Sequence, residues 1–208
     1  MKKMIAILLA VLCLLSLTAC AAKGEPAGTD ESAQPQIADA LTLLNTVWDS
    51  YADDEKFPAS GGDYNEENMT TDAPGKVGLE DAESIEYLLS VPADVLAQFD
   101  DAASLIHMMN TNTFTCGAFR MTDETQAETI AASMKDYLLN KQWMCGFPEQ
   151  MVIVSVGGYL VECFGAADLV STFQEKLLAA YPTATVLTDE AITLSRGTGL
   201  THGWALAI

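Results

Sequence analysis

Apolar residues recur along the chain at changing spacings, and the changes mark its elements. Met4 to Leu17 is apolar apart from Ser16, whereas Ala21 to Gln36 shows no apolar period. Ile37, Leu41, Leu44, Trp48 and Tyr51 then recur at helical spacing and trace one face of a helix. Residues 59–78 hold Gly61-Gly62, Pro74-Gly75 and many acids and amides, and read as a long loop. Loops of that length are uncommon in compact domains and are often functional or disordered. A second helix is expected from Asp81, with Ile85, Leu88 and Leu89 on one side. A third is expected from Pro92, since proline is tolerated in a first helical turn. Val95, Leu96, Phe99, Ala103, Ile106 and Met109 would be its apolar stripe.

The helical period is lost at Asn112. Thr113 to Met121 reads as a strand, and Asp123 followed by Gln126 as a helix start close to a capping box. Ala127, Ile130, Ala131, Met134 and Leu138 would face inward from that helix. Met151 to Val156 and Tyr159 to Phe164 are two apolar runs joined by Gly157-Gly158, a strong hairpin signal because both glycines can take positive φ. Leu169, Val170, Phe173, Leu177 and Tyr181 trace another helix, and Thr183 to Leu187 suits a last short strand. The order is βαββα(β), which predicts an α+β fold, a ferredoxin-like sandwich over about residues 112–188 preceded by two or three helices. The hairpin is apolar on both faces, so a second layer must cover it. The helices before Asn112 are the first choice, and a second copy of the chain the other.

The first segment has an address written in it. Met1-Lys2-Lys3 is a basic start, the apolar run is too short to span a bilayer comfortably, and small residues follow. The run ends in Leu17-Thr18-Ala19-Cys20, which resembles the lipobox of bacterial lipoproteins. The resemblance implies cleavage before Cys20, a diacylglycerol group on its thiol, and a mature chain anchored to the outer face of the cell membrane. Two acyl chains hold stably where one binds marginally. The expected divisions are a signal peptide over 1–19, a flexible tether over 20–36, a single domain over 37–190 and a loosely ordered tail over 191–208. The sixteen residues from Ala21 to Gln36 would span about 20–25 Å.

Charge narrows the partners. The chain has 10 basic and 29 acidic residues, a net −19; removing Lys2 and Lys3 leaves 8 and 29, or −21. Phosphate contacts need Lys and Arg, so nucleic acid is excluded as a partner. Anionic lipid head groups should repel the domain.

Candidate chemistry is sparse. Of the five cysteines, Cys13 falls in the removed segment and Cys20 carries lipid, leaving Cys116, Cys145 and Cys163. They are either three buried apolar residues or one disulfide and a free thiol. His107 with Cys116 would be a base and nucleophile, though nothing in their spacing requires it. Asp63, Asn65, Glu67 and Asp72 place oxygen ligands as calcium loops do, but Asn68 stands where glycine is needed and Pro74 where the bidentate glutamate is needed. A solvated acidic loop is the other reading. Two loops share an aromatic–proline pair, Phe57-Pro58 and Phe147-Pro148, with Gly61, Gly62, Asp63 and Trp143 around them. Aromatics flanked by glycine suit a sugar or peptide, or else they close the core.

Phe57-Pro-Ala-Ser-Gly-Gly-Asp63, Asp72-Ala-Pro-Gly75, Asp101-Ala-Ala-Ser104, His107-Met-Met-Asn110, Asn112-Thr-Phe-Thr-Cys116 and Gln142-Trp-Met-Cys-Gly-Phe-Pro148 resemble stretches of a group of small lipoproteins of Gram-positive bacteria. The resemblance covers Ala40 to Tyr181 and implies no activity. The expected role is a cell-surface binding module, or a non-catalytic accessory subunit of an envelope assembly, without a cofactor unless calcium. A thiol-dependent envelope enzyme and a calcium-stabilised structural module are the alternatives.

Overall fold

The computed structural model describes residues 37–144 and 146–193. The expected signal segment, Cys20, the tether, Cys145 and the tail beyond Thr193 lie outside the described residues.

Helix α1 (Ala40–Trp48) begins where Asp39 accepts the Thr42 N–H at 2.6 Å, and it buries Leu43, Leu44, Val47 and Trp48. The expected loop of residues 59–78 contains three short strands, β1 (Ala59–Gly61), β2 (Thr70–Thr71) and β3 (Gly75–Val77). Its glycines let backbones touch: a Cβ on Gly61 would lie 2.1 Å from the Gly75 nitrogen. Helix α2 (Ala82–Leu89) starts at Asp81, which accepts the Ser84 N–H and hydroxyl.

The expected third helix stops after one turn, α3 (Ala93–Leu96); Phe99, Ala103 and Ile106 of its stripe lie in strand β4 (Phe99–His107), and Met109 is exposed beyond it. Ala102 and Ile106 face one layer, Ala103 and Leu105 the other. A strand apolar on both sides mimics a helical stripe, and periodicity alone does not separate the two. Then follow β5 (Phe114–Met121), α4 (Ala127–Asn140), β6 (Gln150–Val156), β7 (Tyr159–Gly165), α5 (Ala167–Ala180) and β8 (Thr185–Ala191). The Gly157-Gly158 hairpin forms with φ of 52° and 84°.

All eight strands join one antiparallel sheet, in the order β2-β1-β4-β5-β7-β6-β8, with β3 also on β4. β1 and β3 share one edge of β4, at Ala59↔His107 and Gly75↔Ser104 respectively. The fold is thus mixed α/β around an antiparallel sheet. The βαββαβ order is present from β5 onward, but the ferredoxin-like sandwich would put its last strand beside its first. Here β8 lies beside β6, and β4 takes the place beside β5.

That placement has a consequence for the helices. The crossovers β5–α4–β6 and β7–α5–β8 each step over one strand in the same direction across the sheet, while their strands run in opposite directions. Crossovers are right-handed almost without exception, so the two helices must fall on opposite faces. They do: α5 and α1 pack against Val152, Val154, Val161 and Cys163, and α4 with α2 and α3 against Phe119, Ile153 and Leu160. The two faces of the hairpin are therefore covered within one chain, partly by the helices that precede Asn112.

Candidate functional site

On the α4 face the apolar layer is broken. Ile85, Leu89, Met134 and Leu160 belong to one cluster, and Leu138, Met151 and Phe164 form another. Between Leu160 and Phe164 on the same side of β7 stands Glu162, 2% exposed. Its Oε1 has no hydrogen-bond partner among the described residues. Burial pushes its pKa well above the usual carboxylate range, and Lys141 only partly opposes this. Burial thus favours the protonated, uncharged form of this side chain over the carboxylate.

Two helix ends meet nearby. Helix α2 closes with Ser90 in the left-handed region, φ 63° and ψ 27°, where glycine is the usual residue. Helix α4 closes at Lys141, whose backbone turns extended. The Lys141 ammonium donates to the Ser90 hydroxyl at 2.5 Å and joins the two ends. It also lies over the Trp143 ring, 5.2 Å from the centroid. Burial lowers the Lys141 pKa, against the pull of Glu162 and Glu86. A second tie runs from the Tyr137 hydroxyl to Glu86 at 2.8 Å.

A groove runs over this junction. Its middle is a cleft of about 310 Å³ bounded by Tyr87, Ser90, Lys141 and Trp143. Beyond Trp143 lies a second hollow of about 510 Å³ with Leu139 and Phe147 on its walls. On the other side, past Tyr64 and Leu88, lies a third of about 320 Å³ against Asp63 and Ser84. Each has room for a small ligand, since ligand pockets begin at roughly 300 Å³. Tyr64, Tyr87, Leu139, Met144 and Phe147 are exposed large apolar side chains, and all five line this groove. Amides from Asn110 and Gln142 stand among them.

The expected site residues divide. Trp143 packs against Phe164, ring centroids 5.4 Å apart and planes tilted by 51°, and lines both adjoining hollows, and Phe147 is 54% exposed at the far wall. Phe57 is in the core, between Trp48 at 5.1 Å and Phe114 at 5.0 Å. Gly61 and Gly62 are buried against the backbones of Gly75 and Asn68. Asp63 borders the groove, but its oxygens serve the loop. They accept the Gly78 N–H at 2.7 Å, the Asn65 N–H at 2.8 Å and the Asn68 amide at 2.8 Å. Burial raises its pKa, and these bonds outweigh burial and lower it. Asn65 accepts the Glu67 N–H, Glu67 is exposed, and Asp72 donates its N–H to the Ala59 carbonyl. Among the described residues no three His, Cys, Asp or Glu side chains gather as a metal ion requires.

Cys116 is 0% exposed, and burial pushes its thiol pKa well up, which does not suit a nucleophile. His107 stacks on Phe57, and its Nδ1 accepts the Met109 N–H. Ser90, Lys141, Glu162 and Tyr87 were not singled out by sequence pattern. Glu162 alone had a signal there, as one acid inside the apolar run Tyr159 to Phe164. Compared with known proteins, the chain matches no family model, no curated protein and no solved structure.

Proposed function

We propose that the protein is a lipid-anchored binding module on the outer face of the cell membrane, which holds a sugar or short peptide in the groove astride Trp143. The observation that carries this is the gathering of exposed aromatics around a broken core. Tyr64, Tyr87 and Phe147 stay in water over the same junction where the Glu162 Oε1 is buried without a hydrogen-bond partner among the described residues. A folded chain rarely leaves a contiguous apolar patch in water unless something else covers it. Rings offer flat faces for stacking, the Asn110 and Gln142 amides suit hydroxyls or peptide groups, and Lys141 suits an anionic substituent. The lipobox Leu17 to Cys20 supports the address.

Titration of the protein with neutral oligosaccharides and with short peptides, followed by tryptophan fluorescence, tests the reading. One class should give a saturable change. Tyr87, 78% exposed, can be replaced at little cost to the fold, and Tyr87→Ser should weaken binding about tenfold, which is about 1.4 kcal/mol. Trp143→Ala should weaken it further. No saturable change with either class, or binding untouched by both substitutions, counts against the groove.

The second reading is an accessory subunit that presents this surface to an envelope protein. Met109 and Met144, 78% and 89% exposed, favour it, because unbranched thioether side chains adapt to a protein partner.

A further inference from the structure

Cys116 in β5 and Cys163 in β7 stand directly opposite each other in the antiparallel ladder. Opposed residues point to the same face of a sheet, and both belong to the apolar layer under α1 and α5. Opposed Cα atoms in antiparallel pairs are about 4.5 or 5.5 Å apart, and a disulfide accepts roughly 4.4–6.8 Å. Burial first, and then the neighbouring Cys163 thiol, push the Cys116 thiol pKa up. Both are free thiols in this structure, 0% and 1% exposed. Of the three cysteines left after Cys13 and Cys20, the register thus selects one pair.

We propose that Cys116 and Cys163 form a disulfide across the β5–β7 pair when the chain folds in the presence of a small-molecule disulfide. One thiolate attacks the oxidant and releases a thiol, giving a mixed disulfide. The second thiolate displaces the remaining half, also as a thiol. The pair loses two protons and two electrons, one Sγ–Sγ bond forms, and the oxidant's S–S bond is reduced to two thiols. The reaction belongs to folding, while the strands are still wet, because both sulfurs are closed off once α1 and α5 dock. The bond closes a loop that contains α4 and β6, and so restricts the unfolded chain.

The full chain, unfolded and reduced, is refolded with oxidised glutathione in one arm and with a phosphine reductant in the other. After denaturation the thiols are alkylated and the digests weighed. The expected result is a linked peptide pair carrying Cys116 and Cys163 in the oxidised arm, both alkylated in the reduced arm. The melting midpoint should be about 5–15 °C higher in the oxidised arm. Cys145→Ser should keep the link and the shift, and Cys116→Ala should lose both and leave Cys163 alkylated. Complete alkylation of both thiols in an oxidised sample with native circular dichroism overturns the proposal. So does a link from either to Cys13, Cys20 or Cys145.

Discussion

A carboxyl group folded into an apolar layer must shed its charge or find a partner. Glu162 has Lys141 nearby, at a distance that only moderates the shift. The sign of the pH effect follows. Below the ordinary value of 4.5 the group is protonated in both states and adds no penalty. As pH rises above it, the unfolded chain releases the proton and the folded protein keeps it. Stability then falls by up to about 1.4 kcal/mol per pH unit until the folded group ionises. Glu162→Gln removes this term, so its advantage over the wild type should widen from pH 5 to pH 8 in urea melts. An advantage that does not change with pH would mean the acid is ionised in the fold. Asp63 shows the opposite solution, a carboxylate kept charged by three N–H donors. Asp63→Ala should cost about 1–3 kcal/mol in urea unfolding. Excess calcium should leave the melting midpoint unchanged, because those oxygens already have partners; a rise that needs Asp63 would reverse that reading.

At the scale of elements, β4 carries the most weight and was the hardest to see. It pairs with β5 along one edge and with β1 and β3 along the other, so both of its edges are paired, while the two apolar clusters cover its faces. Leu105 is 0% exposed, and Leu105→Ala should cost about 2–5 kcal/mol in urea unfolding. The exposed Leu139→Ala should stay within about 0.5 kcal/mol in the same measurement. The hairpin at Gly157-Gly158 and the helices at Ala40, Ala82, Ala127 and Ala167 were legible, since each has a turn signal or a one-sided stripe. In β4, Phe99, Ala103 and Ile106 satisfy a helical spacing while the chain alternates between two buried faces. The neighbour of β8 was not legible either, because nothing in Thr185 to Ala191 says which edge it joins. At the site, Trp143, Phe147 and Asp63 were found through their aromatic and acidic neighbours. Ser90 and Lys141 were not, since they become neighbours only when two helix ends 51 residues apart meet.

At the scale of the whole molecule, the domain is a sheet closed on both faces, open to solvent at a groove and at its outer strands. If lipid at Cys20 holds it, Cys20→Ser should move the protein from the membrane pellet to the soluble fraction after cell fractionation, with its melting midpoint unchanged. Protein that stays in the pellet with a replaced cysteine would point to some other tie.

Among the described residues the last strand, β8, has no neighbour along one margin of the sheet, and bare margins invite copies to stack into fibrils. This one carries Asp189 and Glu190 and no basic residue. Lys135 already pairs with Glu190, so two molecules meeting margin to margin would be held apart by Asp189 and by bodies rich in negative charge. Crowded side by side, they should slide past one another rather than lengthen each other's sheets.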